Sequence, residues 1–314
     1  MHAREWVSPA YCLWIINELT TKTLTSWQES INWIIYPVMN PDGYYFSYTN
    51  DRMWRKNRNQ NNGNWCKAPV YQTWRGCFLS RSRLHVWYTS GKGVDLNRNY
   101  DAEWGTAGSD SSKCGQTYPG TGAFSEPETR AQRDHILSMP NKLAYLTYHA
   151  YSQILLYPYS MSYSADPENK AELEQLSSDM AESIKKVHGQ FYIHGEGAPT
   201  LYPCSGTSGD WAYLAGMKIN YGVELRDTGN YGFMLPESQI KPTCEENIAG
   251  LEVLFNHVRP VGMPCKNVVC MATMPNSECK YDSSFHTVQC QCQTGFTPQG
   301  GQCIGGSTTQ CKSP

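Results

Sequence analysis

His2 and Glu5 stand three residues apart at the head of the chain, in Met1-His2-Ala3-Arg4-Glu5-Trp6. One helical turn at that spacing brings both side chains to the same face. An imidazole and a carboxylate are both good zinc ligands. The structural alternative is a histidine at a helix start and a first-turn acid interacting with the helix dipole. A catalytic zinc needs a third protein ligand and an open position for water. Further chemistry-bearing residues lie far downstream. His149 ends an apolar run, and a lone histidine there is ordinarily a hydrogen-bonded structural residue. Glu224 sits inside the apolar run Tyr221-Gly222-Val223-Glu224-Leu225, where an acid is costly unless paired or functional. Its bland reading is an ion pair with Arg226, on the same face of a strand. Arg55 lies in the basic run Arg52-Met53-Trp54-Arg55-Lys56, which by itself reads as a solvated face.

The elements that must position these groups alternate between strand and helix. Ser8-Pro9 suits a cap and first helical position, and Tyr11, Trp14, Ile15 and Leu19 follow at helical spacing. Ile31 to Val38 is a nearly continuous apolar run, as in a strand buried on both faces, and Asn40-Pro41-Asp42-Gly43 ends it with turn chemistry. Ser125-Glu126-Pro127-Glu128 reads as a capping box for a helix to about Met139. Leu143 to His149 reads as a strand. Leu176, Met180, Ile184 and Val187 form one stripe of a helix closed by Gly189. Ile219 to Leu225 is a short strand. Thr243 and Glu246 form another capping box, and Ile248, Leu251, Phe255 and Val258 line the last helix. This order implies an α/β fold with a mixed, mostly parallel sheet flanked by helices. Ligands in such sheets collect at the carboxyl ends of strands, where His149 and Glu224 fall.

The chain has 314 residues, room for one large core plus a small module. A net charge of −2 gives no electrostatic reason to expect nucleic acid or an anionic membrane as partner. No apolar run of about 18 residues is present, so no span is expected. Of 13 cysteines, seven fall between Cys265 and Cys311. That density implies a disulfide framework and an oxidising compartment, hence a secreted protein. The chain opens directly on its first motif without a leader, so its N-terminus is read as incomplete.

His2-Ala3-Arg4-Glu5-Trp6 resembles the zinc-ligand signature of the M14 metallocarboxypeptidases, of the carboxypeptidase A/B type. Tyr148-His149-Ala150-Tyr151-Ser152-Gln153 resembles that family's third-ligand segment, and Glu224-Leu225-Arg226-Asp227-Thr228-Gly229 its general-base segment. The resemblance covers about Met1 to Pro260 in five separated motifs. It implies one zinc per chain held by His2, Glu5 and His149, and Glu224 as the base that takes a proton from water and delivers it to the leaving amine. It further implies Arg55 as stabiliser of the developing oxyanion. Asn97 and Arg98, in Val94-Asp95-Leu96-Asn97-Arg98-Asn99-Tyr100, become a clamp for a peptide's C-terminal carboxylate. Tyr202 becomes a tyrosine that closes over it, and Arg4 and Tyr151 further substrate contacts. The position that carries an acid in relatives cutting off Lys or Arg, and a base in those preferring acidic ends, is Gly209 here. Glycine supplies no charge, so apolar or aromatic C-terminal residues are expected. Non-proline cis bonds are implied at Ala150–Tyr151, Pro158–Tyr159 and Arg226–Asp227.

Two regions depart from that pattern. Ala68 to Lys92 interrupts it and reads as an insertion, either a family-specific loop or untranslated sequence retained in the gene. The catalytic unit is expected over 1–260, followed by a linker and a small module over 261–314. Cys292-Gln293-Thr294-Gly295-Phe296 and Gly300-Gly301-Gln302-Cys303 resemble the closing half of an EGF-like module, with core 265–303. Family pairing would join Cys265–Cys279, Cys270–Cys290 and Cys292–Cys303, whereas six cysteines alone allow 15 pairings. The module reads as a stapled spacer in preference to a docking module for an extracellular protein. Cys66 is expected to pair with Cys114, and Cys204 with Cys244. Two functions compete: a secreted zinc carboxypeptidase acting on peptide or protein C-termini, and a non-catalytic binding protein acting through its tail.

Overall fold

Seven residues, Ile219–Leu225, with Ile219, Tyr221, Val223 and Leu225 alternating with Asn220, Gly222 and Glu224, form the strand on which the larger of two units is built. That unit comprises Met1–Ile16 and Ile35–Gly250; the other comprises Asn17–Ile34 and Leu251–Pro314. A computed structural model describes residues 1–21, 27, 31–60 and 92–262, and in the tail 277–282, 287–292, 296–299 and 302–305, with backbone alone described beyond Arg259. Among the described residues the α-helices longer than four residues are α1 (Val7–Thr20), α2 (Pro41–Thr49), α3 (Pro127–Ser138), α4 (Lys170–His188), α5 (Ser208–Leu214) and α6 (Ile240–Gly262). The larger unit's strands are β1 (Ala144–Ala150), β2 (Ile154–Tyr157), β3 (Ile193–Glu196) and β4 (Ile219–Leu225), in the order β1-β4-β2-β3.

β1 pairs with β4 and β2 with β3 in parallel, while β2 runs antiparallel to β4, so the sheet is mixed. On β4, Tyr221, Val223 and Leu225 are buried. Asn220, Gly222 and Glu224 alternate with them onto the other face. The register sets Tyr145 beside Asn220, Thr147 beside Gly222 and His149 beside Glu224. These three rungs carry the site described below. α4 buries Leu176, Met180 and Ile184, exposes Val187, and ends on Gly189 in the left-handed conformation, φ 72°. The three implied non-proline cis bonds are present.

Several local expectations are corrected. Ile31 to Val38 forms no strand, and it is partly exposed rather than buried on both faces. Asn40-Pro41-Asp42-Gly43 starts helix α2 instead of ending a strand. Asn40 accepts the Gly43 N–H at 2.9 Å and donates to the Lys56 carbonyl at 3.0 Å, which makes it an N-cap with proline at the first helical position. α1 begins at Val7, so Ser8 lies inside it and does not cap it. Glu126, not Ser125, occupies the N-cap of α3, with no side-chain cap bond. Ser125 Oγ donates instead to Glu126 and accepts from Asn99. Thr243 lies within α6, its hydroxyl donating back to the Gln239 carbonyl, and Glu246 pairs with Arg226 across the unit. Arg226 is therefore the partner of Glu246 and not of Glu224. Cys204 and Cys244 are buried free thiols, so the pairing expected between them is not made.

In the smaller unit Trp27 stacks on Phe255, with ring centroids 4.6 Å apart, and on Trp33 at 5.8 Å. Its tail carries two antiparallel hairpins, Ser277–Asp282 with Thr287–Cys292, and Phe296–Gln299 with Gln302–Gly305. Cys114 is disulfide-bonded. Its expected partner Cys66, the stretch 68–91, Cys265, Cys270 and Cys311 lie outside the described residues, as do the side chains of the proposed tail pairings. Among the described residues no helix is long and apolar enough to cross a membrane.

Candidate active site

The turn preceding α1 is pinned from two sides. Ala3 N–H donates to the Arg55 carbonyl at 3.0 Å, and Glu5 N–H closes back on the His2 carbonyl at 3.3 Å. His2 and Glu5 thus reach one point from a turn rather than from a helix. β1 brings His149 to the same point. His2 Nδ1 lies 2.7 Å from Glu5, and His149 Nδ1 lies 3.0 Å from Glu5 and 3.2 Å from His2 Nδ1. All three side chains are buried, and one donor atom from each falls within 4.8 Å of the others.

The outer nitrogens decide how those rings present themselves. His2 Nε2 lies 3.1 Å from Asp95 and His149 Nε2 lies 3.0 Å from the Thr147 hydroxyl. A proton on each Nε2 satisfies both contacts and leaves each Nδ1 lone pair aimed inward. Burial, against the pull of Glu5, holds the His149 imidazole down to about 4, which keeps it neutral. Burial opposes the Glu5 charge, but His2 and His149 outweigh it and hold that carboxyl well below its ordinary range. Two imidazoles and a carboxylate converging at about the 3.3 Å donor separation of a tetrahedral ion fit zinc.

Asp95 was not singled out by sequence reasoning, although an acid between Val94 and Leu96 carried the same signal as Glu224. It is fully buried and binds His2 on one oxygen and Arg55 on the other, at 2.9 Å to Nε and 2.8 Å to Nη2. Burial works against the Arg55 charge, yet Asp95 and Glu5 hold it above its usual value. Arg55 Nη1 stands 3.9 Å from Glu5. The Glu224 carboxylate makes no hydrogen bond among the described residues. Burial, reinforced by the nearby Glu5 charge, raises its carboxyl well above the ordinary range.

A cavity of about 300 Å³ opens from this centre, lined by His2, Arg4, Glu5, Arg55, Asn97, Arg98, His149, Tyr151, Tyr202, Gly209 and Glu224. Every expected site residue therefore borders one space. Arg98 is buried, with Nε donating to the Gly108 carbonyl at 3.0 Å and Nη1 to the Asn97 carbonyl at 2.8 Å, so its backbone-facing edge is fixed. Gly206, at φ 68°, comes so near that a Cβ would stand 2.2 Å from the Arg98 carbonyl oxygen. Asn97 Oδ1 accepts the Ser208 N–H at 2.9 Å. Tyr202 is 48% exposed at the rim of the cavity. The Arg4 guanidinium lies 4.2 Å over the Phe233 ring, which in turn meets Tyr151 edge-on at 4.9 Å. Burial brings Arg4 down to about 10. Phe233 was missed in the sequence, where nothing distinguishes it from a core aromatic.

Three buried donors converge at the carboxyl end of parallel strands in a mixed α/β sheet, beside a cavity with a fixed guanidinium, as a candidate mononuclear metal centre. Residues 1–250 match the family described as zinc carboxypeptidase, peptidase family M14, and the chain belongs to it. Members of this family carry one catalytic zinc. The chain is 40% identical to bovine (Bos taurus) carboxypeptidase B over 263 residues, and 39% identical to mouse (Mus musculus) carboxypeptidase A2 over 264 residues. Each match covers 82% of this chain and 57% of the relative, so the chain spans just over half the length of those relatives. The structure of bovine thrombin-activatable fibrinolysis inhibitor in complex with tick carboxypeptidase inhibitor superposes with a TM-score of 0.69 at 36% identity. That match covers 82% of this chain and 79% of the other. Carboxypeptidase A from Helicoverpa armigera gives 0.66 at 33% identity, covering 82% and 59%.

Proposed function

We propose that this chain hydrolyses the C-terminal peptide bond of peptides and proteins. The observation that carries the reading is the convergence of His2, Glu5 and His149 within 4.8 Å, beside Glu224 and in one cavity with Arg98. Zinc, when bound by those three residues, supplies a Lewis acid and lowers the pKa of water to about 7. Glu224 accepts the proton of the attacking water as its oxygen bonds to the scissile carbonyl carbon, and returns that proton to the amine as the C–N bond breaks. Arg55 faces the carbonyl oxygen as charge develops there. Arg98, with Asn97, binds the free carboxylate of the substrate; a guanidinium offers it two parallel bonds. Tyr202 closes over the bound end, and Arg4 and Tyr151 hold the residues before it.

The C-terminal side chain enters the far part of the cavity, past Gly209. With no charged side chain at that position, apolar and aromatic ends are preferred. Residues 1–260 form the catalytic part. Residues 261–314 form a linker and an EGF-like module, for which the two hairpins are the support. The cysteine-rich tail supports an extracellular setting and leaves the module open to an extracellular protein partner. The non-catalytic alternative is not favoured, since the full donor set converges. The reading predicts release of phenylalanine from a blocked dipeptide, stopped by a zinc chelator and restored by zinc. Hydrolysis that ignores the chelator, or none with one zinc bound, defeats it.

A further inference from the structure

β4 presents Glu224, Gly222 and Asn220 in a row on one face, so the strand runs from the site of proton transfer to the far wall of the cavity. The middle and far positions have been kept open. Gly222 and Gly209 both lie outside the left-handed conformation, so their backbones accept any side chain. A Cβ on Gly222 would meet nothing nearer than Thr147 Cγ2 at 3.7 Å, and one on Gly209 would meet only Asn220 Oδ1, at 3.5 Å. Neither tight packing nor backbone conformation requires glycine at these positions; what its presence creates is room in front of Asn220.

Asn220 is 1% exposed, and its amide orientation is set: Nδ2 donates to the Gly209 carbonyl at 2.9 Å. Oδ1 therefore faces the space over Gly209 and has no hydrogen-bond partner among the described residues. The nearby carboxylate of Asp210 is differently placed. It already accepts the N–H groups of Ser160, at 3.0 Å, and Met161, at 2.8 Å. An acceptor that faces a cavity without a protein donor is free to take one from a ligand that fills the space.

We propose that Asn220 is a specificity-determining residue, through which the cavity selects C-terminal side chains tipped with a neutral hydrogen-bond donor, tyrosine above phenylalanine. This rests on the C-terminal hydrolysis reading and sharpens its preference for aromatic ends. The ring lies over Gly222 and Gly209, and the phenol donates to Asn220 Oδ1. A site built to pair with a hydroxyl rejects the analogue that lacks it, because the acceptor is then buried without a partner.

The test compares blocked dipeptides ending in Tyr, Phe and Lys, together with equilibrium binding of free L-tyrosine and L-phenylalanine to the zinc-loaded chain. The expected kcat/KM for Tyr exceeds that for Phe by about tenfold, and L-tyrosine binds more tightly by a similar factor. Asn220→Leu brings both ratios to about one, and Asn220→Asp, which keeps the shape, moves the preference toward Lys. Equal values for Tyr and Phe in the unsubstituted chain overturn the proposal while the peptidase reading stands. So does Lys above Tyr, which would assign recognition to the Asp210 charge. Tighter L-tyrosine binding without hydrolysis of any dipeptide upholds the pocket assignment and removes the peptidase reading. Binding of neither amino acid overturns the proposal.

Discussion

His149 and Glu224 are direct register partners on adjacent parallel strands, one on β1 and the other on β4. The sheet's own hydrogen bonds therefore set the separation between the third candidate ligand and the proposed proton carrier. Neither residue depends on a loop for its place. Exchanging them should separate two functions. His149→Ala is expected to lose the bound ion, with zinc content falling well below one per chain by elemental analysis. Glu224→Gln is expected to keep one zinc and lose about 10²–10⁴-fold in kcat, the usual worth of a positioned proton carrier. Equal zinc loss in both variants would contradict the division.

Asp95 ties His2 to Arg55, with 3.1 Å to one and 2.8 Å to the other. Asp95→Asn keeps the volume but removes the charge that orients both. Outer partners of metal-binding histidines are typically worth about 10–100-fold in metal affinity. That range is the expected weakening in a competition titration against a chelator, accompanied by a fall in kcat from the released Arg55.

Arg226 and Glu246 form a buried pair, with Nε 2.8 Å from Oε1, and Arg226 also donates to Gln239 at 2.6 Å. Glu246→Leu leaves the guanidinium buried without its countercharge. Breaking such a pair from one side costs about 3–5 kcal/mol. Denaturant unfolding should show that loss, while the loss in Glu246→Gln is smaller.

Burial pushes the Asp210 carboxyl up to about 7, against the N–H bonds from Ser160 and Met161. In the unfolded chain it titrates near about 3.9. Between those values the folded state holds a proton that the unfolded state has released. The associated stability is full below about 3.9 and is lost as pH rises through 7. The difference in unfolding free energy between the unsubstituted chain and Asp210→Asn should therefore shift against the former from pH 5 to 8. A difference independent of pH over that window would show that Asp210 is already ionised.

How much was legible beforehand differs by kind of feature. β4 was read with the bounds it has, because a short apolar run fits a central strand whatever surrounds it. The start of α2 was not, although Asn40 and Pro41 are ordinary cap chemistry. Gly43 argued for a turn, whereas it is there because a Cβ would stand 2.5 Å from the Asn40 side chain and 2.6 Å from the Lys56 carbonyl. That approach is tertiary and leaves no local trace. Glu224 and Arg226 looked like partners because alternation put them together, but Glu246, twenty residues on, claims the arginine.

By itself the sequence determined which side chains could bind a metal, carry a proton or clasp a carboxylate, since those are properties of residue type carried in short strings. The tertiary structure decided which of their atoms meet. His2 and His149 are 147 positions apart, and only the pairing of β1 with β4 and the anchoring of Ala3 on Arg55 bring their Nδ1 atoms to 3.2 Å. Asp95, Thr147 and Asn220 acquired their parts in the same way. Each is an ordinary polar residue until the fold sets a particular partner beside it: His2 and Arg55 beside Asp95, His149 beside Thr147 and the Gly209 carbonyl beside Asn220.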